Sequence, residues 1–322
     1  MKNTQPKVSV IVPTYNRKDL LALCLDSLEK QSYPSSLYEV IVVDDGSTDG
    51  THLFLSDYCA KNPATKYFSQ NNAGTGAARN HGLTKAIGEI ICFTDDDCML
   101  ETDWIKNIVE AYKDETIGGV GGRIIAYSTT EPLNAYSEKN KFFDQENLIR
   151  VFAIGANSSY RAKVLSSLQG FDEYFSYSED VDLGIRVQLA GYKLAYAPLA
   201  IVYHNHRSTA RGILKQVYSY SKGYSLLNKR YRSNFSPSIR IKYLVSRLAR
   251  KTLTAPYKSV RRLMDGKRGF PAIEPFFDAA VIASELSGLA KETFSRRKYL
   301  GKTTEQKLDF ISAADLPGGW GR

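Results

Sequence analysis

The sequence has only four cysteines among its 322 residues, and no two of them form a CxxC pair. This pattern indicates neither a disulfide framework nor a thiolate metal site, and it is typical of a reducing compartment. No apolar run approaches the roughly 20 residues that span a bilayer. The short polar start, residues 1–7, lacks the apolar core of a signal peptide. We therefore expect a cytoplasmic protein without a spanning segment.

Acidic residues are scarce in the last part of the chain. Residues 1–207 carry 20 Lys/Arg and 26 Asp/Glu, whereas residues 208–322 carry 23 and 8. The net charge of +9 therefore combines −6 in the first part with +15 in the second. A strongly basic segment fits a polyanionic partner, either nucleic acid or an anionic membrane surface. The segment has no groove-reading motif and no aromatic stacking platform, which disfavours nucleic acid.

Short β-branched apolar runs alternate with helix-like segments through the first hundred residues. The runs at 8–12, 40–43 and 89–94 predict buried strands, and the small-residue stretch at 74–87 predicts a helix. This alternation predicts an α/β fold with a mostly parallel sheet that is covered by helices on both faces. Ligands bind such sheets at the carboxyl ends of the strands, where polar clusters of this sequence also fall.

The character of the chain changes after residue 207. We divide it into an α/β domain, 1–207, whose last predicted helix covers 182–190, and a basic helical C-terminal region, 208–322. In the second region, apolar residues such as Leu244 and Leu253 share helical turns with Lys and Arg. The helices predicted there cover 211–230, 238–264 and 275–297. Prolines, Pro275 among them, are expected to mark helix boundaries or breaks in this region.

Three carboxylates, Asp95, Asp96 and Asp97, follow the strand pattern at 89–94. Adjacent like charges repel unless a cation shares them. Mg²⁺ and Mn²⁺ prefer oxygen ligands and bridge carboxylates to phosphates. The run therefore predicts a metal site, while a solvated acidic turn that caps the helix near Thr102 remains the alternative.

Two further clusters follow strand or loop patterns. Asp45, in the sequence DDGS, is a candidate for binding a base imide or a ribose hydroxyl, or it belongs to a turn with a helix cap. The glycine-rich stretch 71–82 places Arg79 where a dinucleotide fingerprint has its third glycine, so a Rossmann site is disfavoured. A loop whose backbone approaches a phosphate, with Arg79 beside it, stays open.

The stretch SEDVDL, residues 178–183, contains three carboxylates at the start of a helical pattern. A helix cap explains Asp182 but not the neighbouring Glu179 and Asp180. An Asp there could act as a general base on a hydroxyl. His204 and His206 follow the strand pattern at 194–202; His204 is the better candidate for a metal ligand, and a structural role for both remains open.

Taken together, these segments resemble family 2 of the inverting glycosyltransferases, which have the GT-A fold. The matching motifs occur in family order over about two-thirds of the chain. They are VSVIVPTYNR (8–17), VIVVDDGSTDGT (40–51), NNAGTGAARNHGL (71–83), IICFTDDDC (90–98) and the long segment 155–204 that contains SEDVDL. Thr75 and Cys98 depart from residues that are frequent in the family, and neither removes a group that the chemistry needs.

The resemblance implies a role for each matching position. Asp45 corresponds to the carboxylate that reads uracil, Arg79 lies near the base and diphosphate, and Asp180 is the catalytic base with Glu179 beside it. The implied donor-binding residues are Pro13, Thr14, Tyr15, Asp45, Gly74, Arg79, Asp95 and Asp96. The implied ligands of Mn²⁺ or Mg²⁺ are Asp97, Asp95 and His204.

The family function implied is a metal-dependent, hexosyltransferase-like transfer. A sugar moves with inversion from a UDP-sugar, or another nucleotide sugar, to a hydroxyl of a glycan or lipid-linked acceptor. Cell-surface polysaccharide or glycolipid synthesis is the expected setting. The basic region would hold the enzyme peripherally at the inner face of the cytoplasmic membrane, or it simply packs on the catalytic domain. The competing classes are a nucleotidyl- or nucleotide-binding α/β protein that uses the same acidic strand ends, and a family member without turnover.

Overall fold

The structure is a computed structural model that describes residues 5–128, 130–141, 143–207, 209–231 and 237–293. These residues form two compact units. The first comprises residues 5–127 and 141–205, and the second comprises 128–140 and 206–293, each with the gaps just given. The second unit thus includes a segment, 128–140, that precedes the predicted boundary at residue 207. That boundary stays a prediction.

The first unit contains a sheet that has eight strands among the described residues. They are β1 (Val8–Thr14), β2 (Tyr38–Asp44), β3 (Thr65–Ser69), β4 (Ile90–Thr94), β5 (Cys98–Leu100), β6 (Ile117–Ala126), β7 (Asn157–Arg161) and β8 (Lys193–His204). Their order across the sheet is β3-β2-β1-β4-β7-β6-β8-β5. Strands β3, β2, β1 and β4 are parallel, as are β6 and β8, while β7 and β5 run antiparallel to their neighbours. The predicted mostly parallel sheet is confirmed.

The described residues contain eleven α-helices and one 3₁₀ turn, Ser35–Leu37. The helices are α1 (Lys18–Glu29), α2 (Thr51–Lys61), α3 (Thr75–Leu83), α4 (Trp104–Ala111), α5 (Pro132–Lys139), α6 (Gln145–Leu148), α7 (Ala162–Ser167), α8 (Glu179–Leu189), α9 (Ala210–Tyr231), α10 (Pro237–Met264) and α11 (Phe270–Thr293). Strands β1, β2 and β4 are apolar and almost wholly buried, as strands covered on both faces must be. The core of the first unit includes Ile11, Ile41, Phe93, Tyr160 and Leu183.

Two helix boundaries of the first unit differ from the sequence prediction by three or more residues. Helix α3 ends at Leu83 because the following turn is held by other partners: the backbone N–H of Ile87 donates to Ser9 Oγ and Glu39 Oε1, at 3.2 and 3.0 Å. Helix α8 begins at Glu179, three residues before the prediction, after Ser178 in a left-handed conformation with φ of 66°. Its first turn therefore carries the carboxylates, which a helix N-terminus stabilises.

The second unit is built from helices α5, α9, α10 and α11. Helix α11 packs against both α9 and α10. On α5, Tyr136 packs edge-on against Phe277 and donates a hydrogen bond of 3.0 Å to Asp278 Oδ1. Pro275 lies inside α11 rather than at its start, which corrects the start of the predicted helix at 275–297; residues 294–297 of that prediction lie outside the described residues. Within the described residues, no helix has the length and apolarity to cross a membrane.

Candidate active site

The carboxyl ends of β1, β2 and β4 meet at one edge of the sheet. Thr14 and Asp44 are register partners at the ends of β1 and β2, and the acidic run follows directly after β4. Parallel pairing explains this convergence, because it places all three strand ends on the same side. The predicted site residues of these three segments are therefore neighbours in space.

The guanidinium of Arg17 forms ion pairs with both Asp96 and Asp97. Arg17 Nη1 lies 2.9 Å from Asp96 Oδ1 and 2.8 Å from Asp97 Oδ2. Thr14 Oγ1 donates a 2.8 Å hydrogen bond to Asp96 Oδ2. Burial, and the charge of Asp97, raise the pKa of Asp96 to about 6 against the opposing effect of Arg17. Both carboxylates are buried, so the alternative of a solvated acidic turn is wrong.

Strand register brings His204 to Asp97. Because β5 and β8 are antiparallel with Cys98 opposite His204, the end of β8 reaches the acidic run. The backbone N–H of Asn205 donates to the Asp97 carbonyl at 2.9 Å, and His204 Nε2 lies 3.4 Å from Asp97 Oδ1. The imidazole packs on Phe143, with ring centroids 4.6 Å apart.

Asp97, Cys98 and His204 offer a set of donor atoms that all lie within 4.8 Å of one another. A carboxylate oxygen and an imidazole nitrogen suit Mn²⁺. Burial and the nearby carboxylate of Asp97 raise the pKa of the Cys98 thiol well above its usual range. Sulfur is in addition a soft donor, which makes this side chain a poor ligand for Mn²⁺ or Mg²⁺. The residues present therefore fit a divalent metal through Asp97 and His204.

Asp95 is turned toward a different partner. Arg79 Nη2 lies 2.8 Å from Asp95 Oδ1, and Arg79 Nη1 lies 2.9 Å from Glu179 Oε1. The guanidinium is buried and passes over Gly155 so closely that a Cβ atom there would lie 2.4 Å from Nη2. A side chain at residue 155 would therefore have to displace the guanidinium from its two carboxylate partners. The backbone N–H of Gly155 in turn donates to Asp180 Oδ2 at 3.0 Å.

Two of the three carboxylates in the first turn of α8, Glu179 and Asp180, have raised pKa values. Burial, and then the charge of Asp180, raise the pKa of Glu179 to about 7, against the lowering effect of Arg79. Burial also raises the pKa of Asp180, opposed by the Gly155 N–H and by Arg79. A carboxylate whose pKa approaches the working pH is a better general base than an exposed one.

Asp45 holds the loop that precedes α3. Its Oδ1 accepts hydrogen bonds from Gln70 Nε2 and the Ala73 N–H, both at 2.8 Å, and its Oδ2 accepts from the Gly74 N–H at 2.9 Å. Gly74 has φ of +95°, which favours glycine. The expected turn after β2 is formed by Asp44 instead, whose Oδ1 accepts from the Ser47 N–H at 2.9 Å.

The remaining predicted donor residues lie around β1. Pro13 is buried within the strand, whereas Tyr15, just beyond its end, is 47% exposed. His206 belongs to the second unit, where its Nε2 lies 3.7 Å from Glu138 Oε1. The metal-fitting group of the first unit thus contains His204 and not His206.

Family comparisons agree with this geometry. The model of "Glycosyl transferase family 2" matches residues 9–168, and that of "Glycosyl transferase family group 2" matches residues 90–266. The chain is 31% identical over 220 residues to O-antigen chain rhamnosyltransferase RfbN of Salmonella typhimurium, covering 64% of this chain and 68% of that protein. The chain belongs to glycosyl transferase family 2. The predicted family and the predicted transferase class of enzyme are confirmed.

Other family 2 relatives and a solved structure extend the comparison. Glycosyltransferase AglE of Haloferax volcanii is 30% identical over 229 residues, covering 69% of this chain and 74% of that protein. Mannosyltransferase PcManGT from Pyrobaculum calidifontis, solved in complex with GDP-Man and Mn²⁺, superposes with a TM-score of 0.68 at 20% identity. That alignment covers 92% of this chain and 89% of the other, and it confirms the predicted GT-A fold.

The sequence prediction missed Arg17 as a site residue of this glycosyltransferase. The sequence shows two basic residues, Arg17 and Lys18, soon after β1, but it does not show which of them contacts the acidic residues that follow β4. The Arg17 side chain is 26% exposed, while its two carboxylate partners are 5% exposed. Arg17 therefore supplies positive charge where two buried carboxylates would otherwise repel each other.

We expect Arg17→Gln to change metal binding and stability in opposite directions. Mn²⁺ should bind more tightly in the absence of nucleotide, because the guanidinium no longer competes for Asp97. The free energy of unfolding should fall by about 1–3 kcal/mol, since a hydrogen-bonded charge partner is lost. Mn²⁺ titration followed by electron paramagnetic resonance, and urea unfolding, measure the two effects. Lys18→Gln is the control, because Lys18 is exposed and lies 4.0 Å from the exposed Asp19; equal behaviour of the two variants would refute this role of Arg17.

Proposed function

We propose that this glycosyltransferase moves a sugar from a nucleotide sugar, a UDP-sugar first among the donors, to a hydroxyl of an acceptor with inversion. The main support is the placement of two groups of residues in one unit. Asp97 and His204 offer donor atoms for a divalent metal, and Glu179 and Asp180 are buried carboxylates of raised pKa. The complex of PcManGT with GDP-Man and Mn²⁺ supports a nucleotide-sugar donor and a divalent ion for a protein of this fold.

In this proposal Asp97 and His204 hold Mn²⁺ or Mg²⁺. When bound, the ion supplies positive charge that stabilises the departing diphosphate. Arg79, buried between Asp95 and Glu179, keeps Asp95 directed toward the ribose side of the donor pocket. Asp96, tied to Thr14 and Arg17, acts in donor binding by fixing the end of β1.

Asp180 takes the proton of the acceptor hydroxyl in this scheme. The N–H groups of Gly155 and Val181 hold its two oxygens, at 3.0 and 2.8 Å, which fixes the orientation of the carboxylate. Glu179 is held by Arg79 and is assigned to the donor sugar or the acceptor. As Asp180 takes the proton, the acceptor oxygen forms a bond to the anomeric carbon of the sugar, and the bond from that carbon to the diphosphate breaks on the opposite face. This single displacement inverts the anomeric carbon.

We expect UDP to bind more tightly than GDP, because a carboxylate at Asp45 can accept the imide N–H of uracil; thymine carries the same imide, so dTDP is the nearest rival. Asp45→Asn should weaken UDP binding by about tenfold or more. The new amide NH₂ would face the uracil N–H, and it would also face the loop N–H groups that now donate hydrogen bonds to the Asp45 carboxylate. Calorimetric titration with the three nucleotides in Mn²⁺ measures this. Asp44→Asn is the control, because Asp44 bonds only within its own turn in the contacts described above. Tightest binding of GDP would reject uracil reading and leave the family unchanged.

The acceptor is proposed to be a nascent or lipid-linked glycan at a membrane surface. RfbN, named as an O-antigen chain rhamnosyltransferase, supports polysaccharide or glycolipid synthesis as the setting. The charge of residues 208–322, with 23 Lys/Arg against 8 Asp/Glu, supports peripheral attachment to an anionic bilayer at the cytoplasmic side.

A further inference from the structure

Helix α10 has a buried face and an exposed apolar face on opposite sides. Leu244, Ala255 and Ser259 are buried, and the helix packs on α11. Leu253 lies two residues before Ala255 and therefore points about 200° away from it around the helix. Sequence pattern alone places Leu244 and Leu253 in one group, and the structure separates them.

The exposed side carries a continuous apolar stripe. Its members follow one another at intervals of four, three and four residues, which keeps them in line along a helix. They are Leu253, Tyr257, Val260 and Met264, exposed by 81, 69, 57 and 83%. Four large apolar side chains in a row on solvent indicate a binding surface more than an ordinary exposed face.

Basic side chains flank this stripe. Residues 237–264 contain eight Lys/Arg and no Asp or Glu. Two of the basic residues are used inside the unit: Lys251 binds Asp278 and Arg262 binds Glu274. Lys242, Arg250, Lys258 and Arg261 are exposed instead. The helical angles of Lys242, Arg250 and Arg261 place them on or beside the stripe.

We propose that this surface of α10, the apolar stripe with its flanking basic residues, docks on an anionic lipid bilayer. The inference rests on the proposed membrane attachment and names the surface responsible. A helix whose apolar side chains and cations share one exposed face lies in the plane of the interface. The apolar side chains enter the boundary between headgroups and acyl chains, and the cations contact anionic headgroups. An acidic protein partner would pair with the cations, but its charges would not account for the exposed apolar stripe.

The test uses the full chain and vesicles of phosphatidylglycerol with phosphatidylcholine, against vesicles of phosphatidylcholine alone. The double variant Leu253→Glu/Met264→Glu should lose at least about tenfold in vesicle partitioning, because two charges replace inserted apolar groups. The matched control is Leu53→Glu/Leu199→Glu, two leucines of the first unit that are 71 and 68% exposed. Thermal unfolding and nucleotide binding of both variants should equal those of the parent chain.

The outcomes separate this proposal from the broader one. The surface named here is supported if the parent chain floats with anionic vesicles, less so at high salt, and if only the α10 variant loses this binding. Equal flotation of parent and α10 variant overturns the surface and keeps membrane attachment. Failure of the parent chain to bind any vesicle overturns both, and salt-sensitive binding to duplex DNA in its place would assign the stripe and its cations to nucleic acid. None of these results bears on the transferase chemistry.

Discussion

Asp180→Asn should lower kcat for sugar transfer by about 100- to 10,000-fold while the donor dissociation constant changes little. Proton removal by a positioned base contributes about that factor, and this base acts on the acceptor and not on the donor. Initial rates at saturating donor, together with calorimetric donor binding, separate the two quantities.

The control for this experiment is Asp19→Asn, which changes a carboxylate that is 96% exposed on α1. The pH dependence gives a second readout. Because burial raises the pKa of Asp180, activity of the parent enzyme should rise as pH increases through that pKa, and this limb should disappear in Asp180→Asn. Transfer by the variant at nearly the parent rate would move the base elsewhere, with Glu179 as the next candidate.

Asp97→Ala should abolish the Mn²⁺ dependence of nucleotide binding. Loss of a residue that only supports a metal ligand costs about 10- to 100-fold in affinity, so removal of a ligand itself should cost more than about 100-fold. Mn²⁺ titration with and without UDP measures the loss directly. Arg17 still has Asp96 as a partner in this variant, so the fold should persist.

Cys98→Ser is the matched control, because Cys98 belongs to the same group of donor atoms and neighbours Asp97. Sulfur is a poor ligand for a hard divalent ion, so the change to Ser should leave Mn²⁺ affinity nearly unchanged. His204→Ala should weaken binding, as expected of a second ligand. Unchanged Mn²⁺ affinity in Asp97→Ala would remove the metal site from this position.

The sheet and the approximate place of the site were predictable from local pattern. Strands β1, β2 and β4 are apolar runs because they are buried on both faces, and such runs are visible in a sequence. Parallel pairing of these strands then requires the polar residues that follow them to meet. The convergence of Thr14, Asp45 and Asp96 on one edge follows from those two facts.

Contacts that depend on register could not be predicted from pattern. Strand β5 has only three residues, too few to show a period, yet its pairing with β8 places His204 beside Asp97. The same holds for Arg17, whose side chain bridges two carboxylates about 80 residues away along the chain. The Asp45 contacts with the loop before α3 also arise from tertiary packing, so the spacing of residues in the sequence does not predict them.

The role of each site residue stays a prediction, and the most direct test of the central claim is donor hydrolysis. The full chain is incubated with a panel of nucleotide sugars in Mn²⁺ without acceptor, and the released sugar is followed by proton NMR before its anomers equilibrate. We predict slow release of nucleoside diphosphate from one class of donor, dependent on the divalent ion, with the released sugar inverted and with no release by Asp180→Asn. No metal-dependent cleavage of any donor, or release of the sugar with retained configuration, would contradict the account.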